Sequence, residues 1–307
     1  MVKPGSGLDW RFFDIPLRVP FRGQTSRRGA VVRGPYGWGE YSPFPGFGSE
    51  DVEAPASSAR ASAFEAWPAP VRESIPVHVT VPALGPQQAA ALVRSSGCAA
   101  AKVKVAEGDD EARVEAVREA LGPGGRLVVD ANGGWDPDEA VRRIRALMRY
   151  SVDLVEQPVR TIEGMAQVRR SVEVAIAADE LACSREAVRR LVELEAADVL
   201  VIKVQSLGGV LEAMRVIEVS GLPAIVSSML ETSIGISAGV ALAAALEYLP
   251  YPCGLGTVSL LNGDLVADSL LPEGGSIPVR RPEVDESLLE RYADRNPRPA
   301  TPPGSGR

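Results

Sequence analysis

Lysine, histidine and cysteine are scarce in this 307-residue chain. Its 33 basic residues include only four lysines (Lys3, Lys102, Lys104 and Lys203), so 33 − 4 = 29 are arginines. The one histidine, His78, is too isolated to suggest a His/Asp dyad, and its structural role is the preferred one. Cys98, Cys183 and Cys253 are odd in number, widely spaced and in no CxxC pair. Neither a disulfide framework nor a structural zinc site is therefore suggested. Net positive charge is also lacking: 33 basic against 40 acidic residues gives −7. That disfavours a generic binder of nucleic acid or anionic membrane, because no basic field draws in phosphates. No glycine-rich phosphate loop of the P-loop or dinucleotide type occurs. The longest apolar stretch, around Ile234 to Leu246, is rich in alanine and glycine and falls short of the roughly 20 residues of a membrane span. The opening MVKPGSGLDWRFF has no apolar run and no small-residue cleavage site, so it does not read as a signal peptide and a cytoplasmic location is expected.

What is present is a folded chain, with 45% hydrophobic and 24% charged residues. Residues 10 to 42 read as short strands and turns, with turn chemistry at Pro35 and Gly37. Residues 49 to 67 read as one or two helices, with Ser49 as a candidate N-cap before Glu50 and Asp51. Together they make a small α+β segment. From residue 76 short β-branched runs recur at 77–81, 101–105, 126–130, 153–157, 174–179, 198–204, 223–228 and 253–258. Stretches with apolar residues at i, i+3 and i+4 separate them, such as DEAVRRIRALMRY and REAVRRLVELEA. The residues at the strand ends are His78, Lys104, Asp130, Glu156, Asp179, Lys203, Ser228 and Gly254. Their separations are 26, 26, 26, 23, 24, 25 and 26 residues, about one strand–loop–helix–loop unit each. A doubly wound open sheet also alternates strands and helices, but the near-constant period and the count of eight favour a closed parallel barrel. The last run is followed by LLNGDLVADSLLPEGGSIPV rather than a clear helix, so the expected architecture is α/β: a (β/α)7β TIM-like barrel.

In such barrels catalytic groups sit on the rim formed by the C-terminal strand ends. Here that rim carries Lys104, Asp130, Glu156, Asp179 and Lys203 on consecutive units. The bland alternative is that each acid caps a helix or pairs with an arginine, and that the two lysines of Lys102-Val103-Lys104 fall together by chance. Three unpaired carboxylates converging in a barrel mouth would repel one another and be costly to desolvate. One hard divalent cation resolves this: Mg2+, for which Mn2+ could substitute. Lys102 and Lys104, two apart on a strand, share a face. Lys102 then disfavours the charge on Lys104 and prepares it to act as a base. A neutral lysine beside a metal that stabilises an enediolate is the chemistry of proton removal next to a carboxylate. Gly208 and Gly209 are read equally well as turn residues or as a seat for an anion.

These residues resemble the muconate-lactonizing-enzyme subgroup of the enolase superfamily. The likeness rests on K-V-K at 102–104, V-D-A-N at 129–132, E-Q-P at 156–158, A-D-E at 178–180 and I-K at 202–203. It implies metal binding by Asp130, Glu156 and Asp179, and catalytic lysines Lys104 and Lys203 on opposite faces of a small carboxylate substrate. It further implies that Lys102, Asn132, Glu180, Ser228 and Gly254 support the ligands or face the substrate. The α+β segment resembles the family's capping domain. The implied division is a cap over 1–75 joined by about 262–295, a barrel over 76–261, and a disordered tail over 296–307. The oligomeric state stays undecided, monomer or homo-oligomer.

Within the subgroup, three features resemble the members that dehydrate 2-succinyl-6-hydroxy-2,4-cyclohexadiene-1-carboxylate in menaquinone biosynthesis. They are the short cap, the segment V-S-S-M-L-E-T-S-I-G at 226–235 and the final C-G-L-G-T at 253–257 with no D-x-D. The alternative is an N-succinylamino acid racemase or dipeptide epimerase with the same lysines and metal site. A muconate cycloisomerase and a non-catalytic ligand-binding barrel rank lower. Which side chain of the loop at residues 20–28 approaches the substrate is not legible.

Overall fold

The computed structural model describes residues 8–21, 23–44 and 52–295. Ser49 and the tail 296–307 lie outside the described residues, as does Arg22 in the loop at residues 20–28. The chain opens with an antiparallel sheet of β1 (Trp10–Phe21), β2 (Gln24–Gly34) and β3 (Gly37–Tyr41). The β1–β2 register holds from Trp10↔Val32 to Pro16↔Ser26, then shifts before Phe21↔Gln24. Pro16 and Pro20 interrupt this stretch, because proline cannot donate to the ladder. Helix α1 (Glu53–Phe64) covers the sheet. Its small buried face, Ala56, Ala59 and Ala63, packs with Trp10, Ala30, Val32 and Tyr41.

After β4 (Ser74–Pro76), which lies outside the parallel sheet, the barrel follows as β5 (Val79–Val81), α2 (Pro86–Ser96), β6 (Ala100–Lys104), α3 (Asp110–Leu121), β7 (Arg126–Asp130), α4 (Pro137–Leu147), β8 (Leu154–Glu156) and α5 (Ile162–Arg169). It continues with β9 (Ala175–Ala178), α6 (Arg185–Glu193), β10 (Val199–Lys203), α7 (Val210–Ser220), β11 (Ala224–Ser227) and α8 (Ser233–Ala245). Helix starts are fixed locally: Asp109, Asp136, Thr161, Ser184 and Thr232 each accept a backbone N–H as N-caps. Strands β5 to β11 form one parallel sheet in sequence order. The eighth stave closes it. Cys253 bridges Val77, and Gly254 bridges Ser227. The strand expected over 253–258 thus shrinks to two residues, because the chain turns at once into a 3-10 helix over Gly256–Leu260.

Inside the barrel the period of two decides everything. Val128, Leu154, Ala177, Val199, Val201 and Ile225 plug the interior. The next inward positions towards the C-terminal rim are Asp130, Glu156, Asp179, Lys203 and Ser227. A second apolar cluster joins cap to barrel, setting Phe13, Ile15, Trp38 and Phe44 against Met229, Leu230, Ile234, Leu261 and Leu289. The chain end returns to the cap through β12 (Ser276–Pro278), paired with β4, and α9 (Glu286–Arg291), after which Ala293 bridges Phe13. Among the described residues no helix is long and apolar enough to cross a membrane.

Candidate active site

Parallel registry brings the rim together. Lys104 pairs with Asp130, Asp130 with Glu156, and Lys203 with Ser227 in neighbouring strands. Asp130, Glu156, Asp179, Lys102 and Lys203 are all buried. The lysines expected near the carboxylates each reach one. Lys104 Nζ donates to Asp130 Oδ2 at 2.5 Å, Lys102 Nζ to Glu156 Oε1 at 2.6 Å, and Lys203 Nζ to Asp179 Oδ1. Lys102 also lies 3.3 Å from Asp130.

The expectation of three unpaired carboxylates is therefore corrected: each is turned to its own ammonium. Among the described residues no three histidine, cysteine or acidic side chains form a ready metal-holding group. Electrostatics nevertheless shows the acids acting on one another. Burial raises the Glu156 carboxyl to about 8, and the charges of Asp130 and Asp179 add to the rise against the pull of Lys102. Burial also opposes ionisation of Asp130, but Lys104, Lys102 and the Asn132 N–H outweigh it and hold Asp130 well below the usual carboxylate range. For Lys102, burial works against the charge, and Glu156, Asp130 and Asp179 overcome it. Lys102 thus stays an ammonium beside Lys104. The donor set suits a hard divalent cation: carboxylate oxygens from three adjacent strands, in a repulsion that added positive charge would offset.

Asn132 and Glu180 are hydrogen-bonded to this centre. Asn132 Oδ1 accepts from Lys104 at 2.8 Å, and Asn132 Nδ2 donates to Glu180 at 3.0 Å. Ser228 lines the pocket above the site and shares a hydrogen bond of 2.8 Å with Thr257. The strand-end serine in register with Lys203, however, is Ser227. Gly254 lies beside it: a Cβ there would sit 2.5 Å from Ser227 Oγ and 3.2 Å from His78 Nε2. His78 is buried and uncharged, pushed down to about 3 by burial and by Lys102 and Lys104. Gly208 and Gly209 act as a turn. Both have positive φ, 85° and 135°, and a Cβ on Gly209 would come within 3.1 Å of Ala61 in α1.

Three contributors were missed from sequence. Gln157 is buried, and its Oε1 accepts the Asp179 N–H at 2.9 Å, fixing that strand end; the E-Q-P motif was the available signal. Phe21 and Phe44 from the cap face Lys102, Lys104 and Lys203 across the pocket. Their rings meet edge to face at 6.2 Å. Among the described residues of the loop at 20–28, Phe21 is one that lines the pocket, and no periodicity could have shown it.

Comparison with known proteins agrees with this architecture. A family described as Enolase C-terminal domain-like matches residues 86–283, and one described as Enolase N-terminal domain-like matches residues 12–63. The chain is 54% identical to an o-succinylbenzoate synthase of Thermobifida fusca, covering 91% of this chain and 90% of that one. It is 41% identical to an o-succinylbenzoate synthase of Mycolicibacterium smegmatis, covering 92% and 89%. Among solved structures, muconate lactonizing enzyme from Pseudomonas fluorescens, complexed with muconolactone, superposes with a TM-score of 0.83. At 22% identity over 94% of this chain and 98% of that one, it speaks for the fold alone.

Proposed function

The chain belongs to the enolase superfamily, alongside its o-succinylbenzoate synthases, and from that membership we propose a Mg2+-dependent dehydration as its reaction. The substrate is 2-succinyl-6-hydroxy-2,4-cyclohexadiene-1-carboxylate, the product 2-succinylbenzoate, and the setting the menaquinone pathway in the cytoplasm. The observation that carries this reading is the pairing of Lys104 with Asp130 and Asn132 on one side of the buried acids and of Lys203 with Asp179 on the other.

Asp130, Glu156 and Asp179 would hold the divalent ion. When bound, it supplies the positive charge that stabilises an enediolate next to the carbon losing its proton. Lys104, as the free amine, takes that proton from the ring carbon bearing the carboxylate. The electron pair returns to form the ring double bond as the carbon–oxygen bond breaks. The Lys104 ammonium then gives its proton to the departing hydroxyl on the same face, and water leaves. One C–H and one C–O bond are lost and the ring becomes aromatic. Asn132, held by Glu180, keeps the Lys104 Nζ in place. Lys203 remains cationic and faces the developing negative charge. Phe21 and Phe44, which line the pocket, would give the ring an apolar wall.

A racemase acting on N-succinylamino acids could use the same two lysines by exchanging base and acid roles. The test is growth of aromatic product from the cyclohexadiene substrate with Mg2+, run beside α-proton exchange of an N-succinylamino acid in deuterated water. The dehydratase reading requires product formation, a loss of about 100-fold or more in Lys104→Ala, and retention of much activity in Lys203→Arg. Exchange of both enantiomers without aromatic product would replace it with the racemase.

A further inference from the structure

Between the cap and the barrel mouth lies a buried polar cluster that the chemistry above does not use. Arg27, Glu40, Ser42, Gln205, Glu231 and Thr232 are each at most 4% exposed. Burying a guanidinium and two carboxylates is costly unless every donor and acceptor is engaged. Here the engagement runs between domains. Gln205 stands two residues beyond Lys203. Its Oε1 accepts the Ser42 N–H at 2.9 Å, while its Nε2 donates to Ser42 Oγ at 3.0 Å and to Glu231 Oε1 at 3.1 Å. Glu231 Oε2 accepts the Met229 N–H at 2.6 Å.

Arg27 spends its guanidinium on carbonyls. It donates to Leu230 O at 3.1 Å in the barrel loop, and to Pro43 O at 2.9 Å and Ser42 O in the cap. Glu40 takes four donors: Ser42 Oγ at 2.6 Å, Thr232 N at 3.2 Å, Thr232 Oγ1 at 2.5 Å and Gly235 N at 2.9 Å. The network therefore ends on three sides of one pocket. Those sides are the segment after Lys203, the loop Ser228–Met229–Leu230, and the cap strand leading into Phe44.

We propose that this cluster is a clasp that sets the substrate-facing loop and the cap wall against the Lys203 strand, with Gln205 as its central positioning residue. Gln205 touches no reacting atom. It acts through Ser42 and Glu231, so its effect falls on turnover by way of geometry. Misplacement of reacting groups by about 1 Å can cost on the order of 100-fold in rate. This inference rests on the dehydratase reading for its kinetic arm only.

The test compares wild type, Gln205→Met, Ser42→Ala and the double variant. Steady-state dehydration gives kcat and KM separately, and amide hydrogen exchange follows the backbone of Met229 to Thr232. The clasp predicts a fall in kcat of about 10- to 100-fold for Gln205→Met, faster exchange at Met229 to Thr232, and a double variant no worse than about twofold below Gln205→Met. A folded Gln205→Met with kcat within twofold of wild type overturns it, as do losses that multiply in the double variant. Should Gln205→Met fail to fold, Ser42→Ala keeps the main-chain bond and removes only the hydroxyl. It must then itself lower kcat and speed exchange, and wild-type behaviour overturns the clasp. A wild-type chain without dehydratase activity defeats the function proposed above instead, and unchanged exchange in Gln205→Met then overturns the clasp separately.

Discussion

Each scarce lysine that the structure places in the barrel meets a carboxylate, and the few polar side chains between them decide which way each points. The same logic of full engagement applies to Glu40, whose carboxyl is raised from 4.5 to about 7 by burial, with Glu231 adding to the rise and Ser42, Thr232 and Arg27 opposing it. A carboxyl raised in the folded state binds its proton more tightly there than in the unfolded chain. Its contribution is fully present below pH 4.5, is lost as pH rises to about 7, and is constant above. Stability of wild type relative to Glu40→Gln is expected to fall across that window, by up to about 3 kcal/mol. Glu231 and Arg27 face the side chain at position 40 in both proteins. Urea unfolding at pH 4 to 8 measures the difference, and parallel curves would refute the assignment. The metal-site candidates were legible because charged residues at a fixed period are improbable in a barrel interior. Gln205 was not, since an uncharged amide outside any motif carries no such signal until its partners are located.

At the level of elements, the period of two along each strand accounts for what the sequence could and could not tell. It aligned the apolar plug below the polar rim, and seven of the eight staves followed their β-branched runs. The eighth is shorter than its run at 253–258, because its pairing consists of Cys253 and Gly254 only before the 3-10 helix begins. The shift from Ser228 to Ser227 has the same origin, a one-residue register that only the partner strand fixes. Close approach between elements is equally invisible. A Cβ on Gly39 would lie 1.8 Å from the Ala59 carbonyl oxygen in α1, whereas one on Gly124 meets nothing within 4 Å. Gly39→Ala is accordingly expected to destabilise by about 1–3 kcal/mol, as overpacking does, because a backbone oxygen cannot swing aside. Gly124→Ala should stay within about 0.5 kcal/mol of wild type. Equal thermal midpoints for the two variants would contradict the packing of α1 on the sheet.

For the whole molecule, the return of the chain end to the cap is the tie that local patterns could not reveal. Leu289 in α9 is 1% exposed and belongs to the cluster that holds Phe13 and Ile15 of the cap together with Met229 and Leu230 of the pocket wall. Leu289→Ala should cost about 2–5 kcal/mol in unfolding free energy. It should also lower dehydration at temperatures where the variant is still folded, because the pocket wall shares the cavity. A variant of normal activity and stability would show that the terminal helix is not part of the frame.

The proposed dehydration requires one divalent ion held by Asp130, Glu156 and Asp179. Calorimetric titration of the chain with Mg2+ tests that most directly. The prediction is one ion per chain for wild type, with binding lost or weakened at least tenfold in Asp179→Asn and in Glu156→Gln. Absence of Mg2+ binding to the folded wild-type chain, or undiminished binding in both variants, would contradict it.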